Sequence, residues 1–298
     1  MATRAETAPA VLDKPSYKSF LAPLLLIGVA ILLYMKLGTT VAAPGFTLTR
    51  FLELAGILFL AGFMSGLTGF AFSAIGGAIL ILIPPLLGVP LLQGLSAVNQ
   101  MLSIGQLRKQ MPKTAKEWWP YGPAPCILGG LAGVPIGIWV LNNLPAAKLM
   151  LAFGGMLVLY ALYSLLKPVG LHLKGFDGAG TAMVVGLFGG IIGGFTAFPG
   201  MTVVVWTGLR NLSKAASRSI VQPFILSLQI VSLITNGVLH PHNFGIRFWT
   251  LLLLTIPVVL PGTICGVLTY HRISEVNFKR FCFILLLVAG AGLILKAL

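Results

Sequence analysis

The chain has 298 residues, 57% of them apolar and only 9% charged, with 20 Lys+Arg against 6 Asp+Glu and a mean hydropathy of +0.98. A water-soluble domain carries about a quarter charged residues, so this composition excludes one, and the apolar content excludes disorder and a collagen-like repeat despite 36 Gly and 19 Pro. The formal net charge of +14 would suggest nucleic acid in a soluble chain; in a membrane chain it suggests cytoplasmic basic loops first, and no nucleic-acid partner is expected.

In chain order, residues 1–18 read as a polar, cytoplasmic N-terminal tail, followed by an apolar stretch from Phe20 to Tyr34. Val41-Ala42-Ala43 resembles a signal-peptidase site, but the run is long for a signal peptide and reads as an uncleaved first helix. Apolar segments follow at about 52–71, 73–88, 90–107, 120–141, 146–166, 179–197, 199–209, 213–239, 248–270 and 278–297. Two adjacent pairs, 52–71/73–88 and 179–197/199–209, carry helix breaks at Gly76-Gly77 and at Pro199-Gly200. The second member of each is too short for an easy crossing, so each pair either crosses twice or dips in and returns. With the N-terminus inside, 15 Lys/Arg fall on the cytoplasmic side and 5 outside, which predicts N-in, C-out insertion.

The two halves resemble each other. Gly62, Gly66, Gly69 and Gly76 fall on Gly186, Gly190, Gly193 and Gly200 at an offset of 124, and Ser96, Asn99 and Gln106 fall on Ser219, Gln222 and Gln229 at 123. Each copy holds an odd number of crossings, so the second copy inserts upside down. The expected fold is therefore all-α and polytopic: an N-terminal helix plus two inverted-topology repeats with broken or re-entrant helices, about 52–166 and 179–297, within one transport domain spanning 19–298.

Ser96, Asn99, Ser103 and Gln106 share one helical face, as do Ser219, Gln222 and Gln229, with Asn236 further along. In lipid such faces point inward. An amide binds an oxyanion without a charge of its own, and it equally bridges helices; both roles stay open. Ser73 and Thr196 lie near the starts of the short segments, where they either cap helices or offer hydroxyls to a ligand beside the positive helix end. The expected substrate contacts are thus Ser73, Asn99, Gln106, Thr196, Gln222 and Gln229, with Arg210, Lys214 and Arg218 as an anion-attracting entrance, or simply as orientation charges. No Asp or Glu lies mid-segment and all four His lie in loops or at segment ends, which argues against a carboxylate proton relay and against a metal site. Cys126, Cys265 and Cys282 are isolated in apolar stretches and read as packing residues. No nucleotide-binding loop is present, and no cofactor is expected.

The Gly-rich stretch Gly62–Gly77, its second copy Gly186–Gly200, and the helices that follow with Asn99-Gln100 and Gln222-Pro223 resemble the sulfite exporter TauE/SafE family of membrane permeases over residues 52–297. The resemblance implies a bacterial inner-membrane permease, not an enzyme, whose partners are the lipid bilayer and a small sulfur-containing anion such as sulfite or an organosulfonate, usually moved outward. A non-transporting membrane scaffold and an intramembrane enzyme are the other classes the sequence admits.

Overall fold

A computed structural model describes residues 21–38, 47–106, 111–166, 177–269 and 275–298. The tail 1–18, the cleavage-site resemblance at Val41–Ala43, and the side chains of Gln106, Lys214 and Cys282 lie outside what is described. Among the described residues every regular element is helical.

Helix α1 spans Leu21–Leu33 and continues as a π-turn over Tyr34–Gly38. Helix α2 (Leu48–Thr68) starts at Thr47, whose hydroxyl accepts from the Arg50 amide, and stops at Gly69, which takes φ +87°. Helix α3 (Phe72–Gly76) tightens into a 3₁₀ turn over Gly77–Ile81. Helix α4 (Pro85–Gln106) begins on a proline, which suits a first helical position because its missing N–H would be unpaired there anyway. A short α5 (Ala115–Trp118) leads to α6 (Pro123–Asn143) and α7 (Ala146–Leu166). The second half repeats the order with α8 (Ala179–Thr196), α9 (Gly200–Leu209), α10 (Lys214–Leu239), a 3₁₀ turn at Pro241–Phe244, α11 (Ile246–Thr269) and α12 (Glu275–Ala297).

Six of these helices are long and apolar enough to cross a bilayer, namely α2, α6, α7, α8, most of α10, and α11. Their outer faces carry Leu128, Trp139, Leu159, Val184, Phe188 and Leu253, all exposed, while Gln93, Asn99, Gln100, Gln222, Gln229 and Asn236 are buried. Apolar outside and polar inside is what hydrocarbon solvent demands. The chain is a multi-pass membrane protein.

Helix partners cross between the halves. α2 lies on α11, α8 on α6, α7 on α12, and α4 on α10, so exchanging the halves maps the pairings onto themselves. Glycines make the first two seams. The bare Cα of Gly62 faces the Val259 carbonyl, and that of Gly66 the Thr263 carbonyl; Gly262 and Gly266 face the carbonyls of Phe59 and Phe63 in return. In the other seam Gly190 faces the Gly130 carbonyl, and Gly133 and Gly137 face the carbonyls of Leu187 and Ile191. Residue numbers rise together along both seams, so each pair runs parallel.

These contacts correct the repeat register. Gly133 and Gly137 do in one seam what Gly262 and Gly266 do in the other, an offset of 129, and Gly62 and Gly66 correspond to Gly190 and Gly194, an offset of 128. The sequence match at 124 is one helical turn short. A G-x-x-x-G periodicity overlays itself after a shift of four residues, so glycine alone could not fix the register. The breaks also move. In the first half the helix stops at Gly69, whereas Gly76 and Gly77 sit where α3 becomes 3₁₀, against Leu92 and the Phe153 ring. In the second half the break spans Ala197–Pro199, and Pro199-Gly200 opens α9.

Candidate functional site

The site is built on two matching turns. At the end of α2 the Thr68 hydroxyl donates to the Met64 carbonyl (2.9 Å) and accepts from the amides of Phe70 (3.3 Å) and Ala71 (3.1 Å), while the Gly69 amide donates to the Ser65 carbonyl (2.6 Å). At the end of α8 the Thr196 hydroxyl donates to the Ile192 carbonyl (2.6 Å) and accepts from the Phe198 amide (3.1 Å), while the Ala197 amide donates to the Gly193 carbonyl (2.9 Å). Gly69 and Ala197 are both left-handed, at φ +87° and +62°. Thr-Gly-Phe and Thr-Ala-Phe are thus one device used twice, each hydroxyl closing its own helix and turning the chain.

Four buried glutamines attend these turns. Gln93 donates to the carbonyls of Gly193 (3.2 Å) and Gly194 (3.4 Å), and Gln229 donates to the Ala197 carbonyl (2.7 Å). Gln100 donates to the Gly69 carbonyl (3.1 Å). The Gln222 amide nitrogen lies 3.1 Å from where a Cβ on Gly69 would stand. Gln93 and Gln222 are therefore counterparts at offset 129, as are Gln100 and Gln229, and Ser103 and the buried Ser232. Because Gln93 shares a turn with Gln229 and Gln100 shares one with Gln222, α4 and α10 run antiparallel. Inverted repeats require that relation between counterpart helices.

The two ends of this column differ in charge. Arg218 donates from Nη2 to the Leu67 carbonyl (2.8 Å), and its Nε lies 3.2 Å from the Cβ position of Gly69. Residue 89, its counterpart, is a fully buried valine. Gln222 has no protein partner for either atom of its amide, and the side-chain oxygens of Gln93, Gln100, Ser103 and Gln229 are likewise buried without one. Leaving a buried polar group unpaired costs about 1–3 kcal/mol, so five such side chains along one helix interface call for partners from outside the protein, water or a solute.

The family model described as sulfite exporter TauE/SafE matches residues 54–293. The chain belongs to the TauE/SafE family. Comparisons with curated proteins and with solved structures yield no match. Membership makes the protein a membrane transport protein of the permease kind.

Within this TauE/SafE chain the expected site residues separate. Gln222 and Gln229 stand in the column. Thr196 is beside it, its hydroxyl closing α8 and not starting α9. Asn99 is a bridge: its Nδ2 donates to Ser65 (2.8 Å) and its Oδ1 accepts from Thr263 (2.6 Å), tying α2, α4 and α11. Ser73 is buried in the second position of α3. Ser219 bonds back to the Ala216 carbonyl (2.8 Å) and lies outside the set of unpaired groups. Arg210 is engaged at the end of α9: its Nε donates to Asp177 (2.8 Å) with the side chain 10% exposed, and its guanidinium stacks on Trp206 at 4.5 Å. Of the two described basic side chains expected at the entrance, Arg210 and Arg218, it is Arg218 that stands at the Gly69 turn.

Gln93 and Gln100 were not expected as contacts, nor was Asp177 as an ion-pair partner. The sequence does hold the signal for the first two. Once Thr68-Gly69-Phe70 is laid on Thr196-Ala197-Phe198, the glutamines coincide at 93/222 and 100/229.

Proposed function

We propose that this TauE/SafE protein is a secondary permease that carries a small sulfur-containing oxyanion, sulfite or an organosulfonate, out of the cytoplasm by alternating access. Its substrate site is the turn at Gly69 with Gln222, Arg218 and Gln100. The observation that carries this reading is Gln222, an amide 1% exposed with both polar atoms unpartnered, held beside a guanidinium at the end of a broken helix. An amide N–H and a guanidinium edge are donors suited to a sulfonate or sulfite oxygen shedding its water.

The inverted repeats supply the cycle. Two counterpart turns, one toward each end of the column, give the substrate a related environment when either end opens. N-in insertion puts Arg210, Lys214 and Arg218, with the end of α4, toward the cytoplasm, so the substrate first meets the charged turn. The membrane potential then favours outward movement of an anion by about 2.3 kcal/mol per charge per 100 mV. On this reading the two repeats, about 52–166 and 179–297, make up one transport domain. The unpaired column favours a transporter over a scaffold subunit, and no catalytic role is proposed.

The test is flux. Purified protein in liposomes loaded with sulfite, sulfoacetate, taurine or chloride is expected to release a sulfur oxyanion faster than protein-free liposomes, and Gln222→Leu to abolish the difference. Release of none of them, or equal release of all including chloride, overturns the reading.

A further inference from the structure

The end of the α4–α10 column away from Arg218 is shut by three asparagines. Asn236 follows Gln222 and Gln229 on one face of α10, at a spacing of seven, and is 0% exposed. It stands 18 residues beyond Arg218, about 27 Å of helix. Asn142, in the last turn of α6, gives its Nδ2 to the Ile138 carbonyl of its own helix (2.9 Å). A carbonyl accepts only from a donor, so Oδ1 is the end of Asn142 left to accept. It accepts from Asn243 Nδ2 (3.0 Å), which also donates to Asn236 Oδ1 (3.2 Å); Asn142 Nδ2 lies 3.5 Å from that same oxygen. Asn236 thus turns its oxygen to both neighbours, and its Nδ2 is buried without a partner. Asn243 belongs to the Pro241–Phe244 turn, which folds back over the end of α10: the His240 amide donates to the Asn236 carbonyl (2.7 Å), and the Asn243 amide to the His240 carbonyl (3.1 Å). That turn packs on α4 and α10, and its Phe244 ring meets Phe248 of α11 edge-on, centroids 4.7 Å apart.

The three amides join elements that are otherwise fastened separately. Glycines seam α6 to α8 and α11 to α2; Asn142 belongs to the first pair, and Asn243 to a turn anchored on the second. The seams set backbone on backbone. This junction is made of short polar side chains, which exchange one another for water when they part. It is also incompletely satisfied when shut, because Asn236 Nδ2 has no acceptor, and an unpaired buried donor disfavours the shut arrangement. A purely structural bridge gains most when every member is paired. We infer that Asn142, Asn236 and Asn243 form the outer gate of the permease, a clasp that is closed in this structure and parts when the two seamed pairs separate at this end. N-in insertion puts the clasp on the outside. The inference rests on the permease reading for its purpose and supplies one of the two closures that alternating access needs.

The test is access, read without transport. Ser232 is buried one helical turn inside Asn236, and Ser103 is buried toward the opposite end of the column. Ser232→Cys and Ser103→Cys are made separately in full-length protein, purified in detergent so that both ends meet solvent. Each is treated with a trimethylammonium methanethiosulfonate, which reaches a thiol only through water, and labelling is followed by the mass of the peptide concerned. Asn142→Leu and Asn243→Leu are each expected to speed labelling of Ser232→Cys about tenfold, or 1.4 kcal/mol, and to leave Ser103→Cys no faster. Should the leucine variants fail to fold, Asn243→Ser is smaller and keeps a hydroxyl, and is expected to speed it about threefold. Unchanged labelling of Ser232→Cys, whatever the unfolding midpoint, makes the cluster a structural bridge, and faster labelling of both cysteines makes the effect a general loosening; either overturns the inference. Faster labelling of Ser232→Cys alone, in a protein that gives no sulfite flux in liposomes, would support the gate while overturning the permease reading. Sulfite flux with unchanged labelling would overturn the gate and leave that reading standing.

Discussion

The turns at Gly69 and Ala197 share a threonine, a left-handed residue, a phenylalanine and the same hydroxyl bonds, yet their surroundings are unlike. One has a guanidinium on its last carbonyls and a wholly unpaired amide. The other has two amides bound to it through nitrogen, their oxygens left over. Backbone symmetry thus does not imply chemical symmetry: the duplicated scaffold places groups at equivalent points, and single side chains, Arg218 against Val89, give one turn a charge that the other lacks at that position.

The sharpest way to break this comparison is Gln222→Leu. It is expected to cut sulfite efflux about 100-fold, roughly 2.7 kcal/mol, while the unfolding midpoint stays or rises, because a buried unpaired amide is removed. A midpoint fall with normal efflux would make Gln222 structural. Next is Arg218→Ala, expected to raise the half-saturating sulfite concentration about tenfold, with Arg218→Lys recovering part of it in the same efflux assay, since a lysine keeps the charge but not the planar fork. Asn99→Ala is expected to behave oppositely. It strands Ser65 and Thr263 and costs about 1–3 kcal/mol of stability, read as a lower unfolding midpoint, with half-saturation for sulfite unchanged. The smallest effects come from the turn residues themselves. Gly69→Ala forces a left-handed alanine, with Gln222 and Arg218 only 3.1 and 3.2 Å away, and is expected to destabilise by about 1–2 kcal/mol. Ala197→Gly relieves the same backbone strain and is expected to stabilise by up to about 1 kcal/mol, measured by thermal unfolding of the two variants side by side.

Much of the fold was legible in the sequence because hydrocarbon leaves few options. Apolar runs had to be helices, and short runs beside Pro199-Gly200 had to be breaks. The register was harder. Glycines spaced by four seat equally well one turn apart, so an offset of 124 stands in for 128, and Gln222 is matched to Asn99 when its counterpart in the structure is Gln93. The glycines at Gly76-Gly77 mark where α3 gives way to a 3₁₀ turn, packed on Leu92 and Phe153, but the left-handed turn of that pair lies earlier, at Gly69, where a single glycine drew no notice as a break. Part of the candidate site was legible as a polar face, since Gln222 and Gln229 were in it. Whether an amide bridges helices or stands unpaired depends on what the opposite helix supplies. Asn99 meets a serine and a threonine; Gln222 meets a bare glycine. That difference is a matter of three-dimensional neighbours and is silent in a linear pattern.

The glycine seams carry a mechanical consequence. Each fastens a helix of one half to a helix of the other, α2 to α11 and α6 to α8, with backbone set directly against backbone at the glycines. In the proposed cycle the pieces that rock are then hybrids, not the halves as encoded. A chain severed in the link at 167–176 would be held together like interlaced fingers, and neither fragment made by itself would have a partner against which to move.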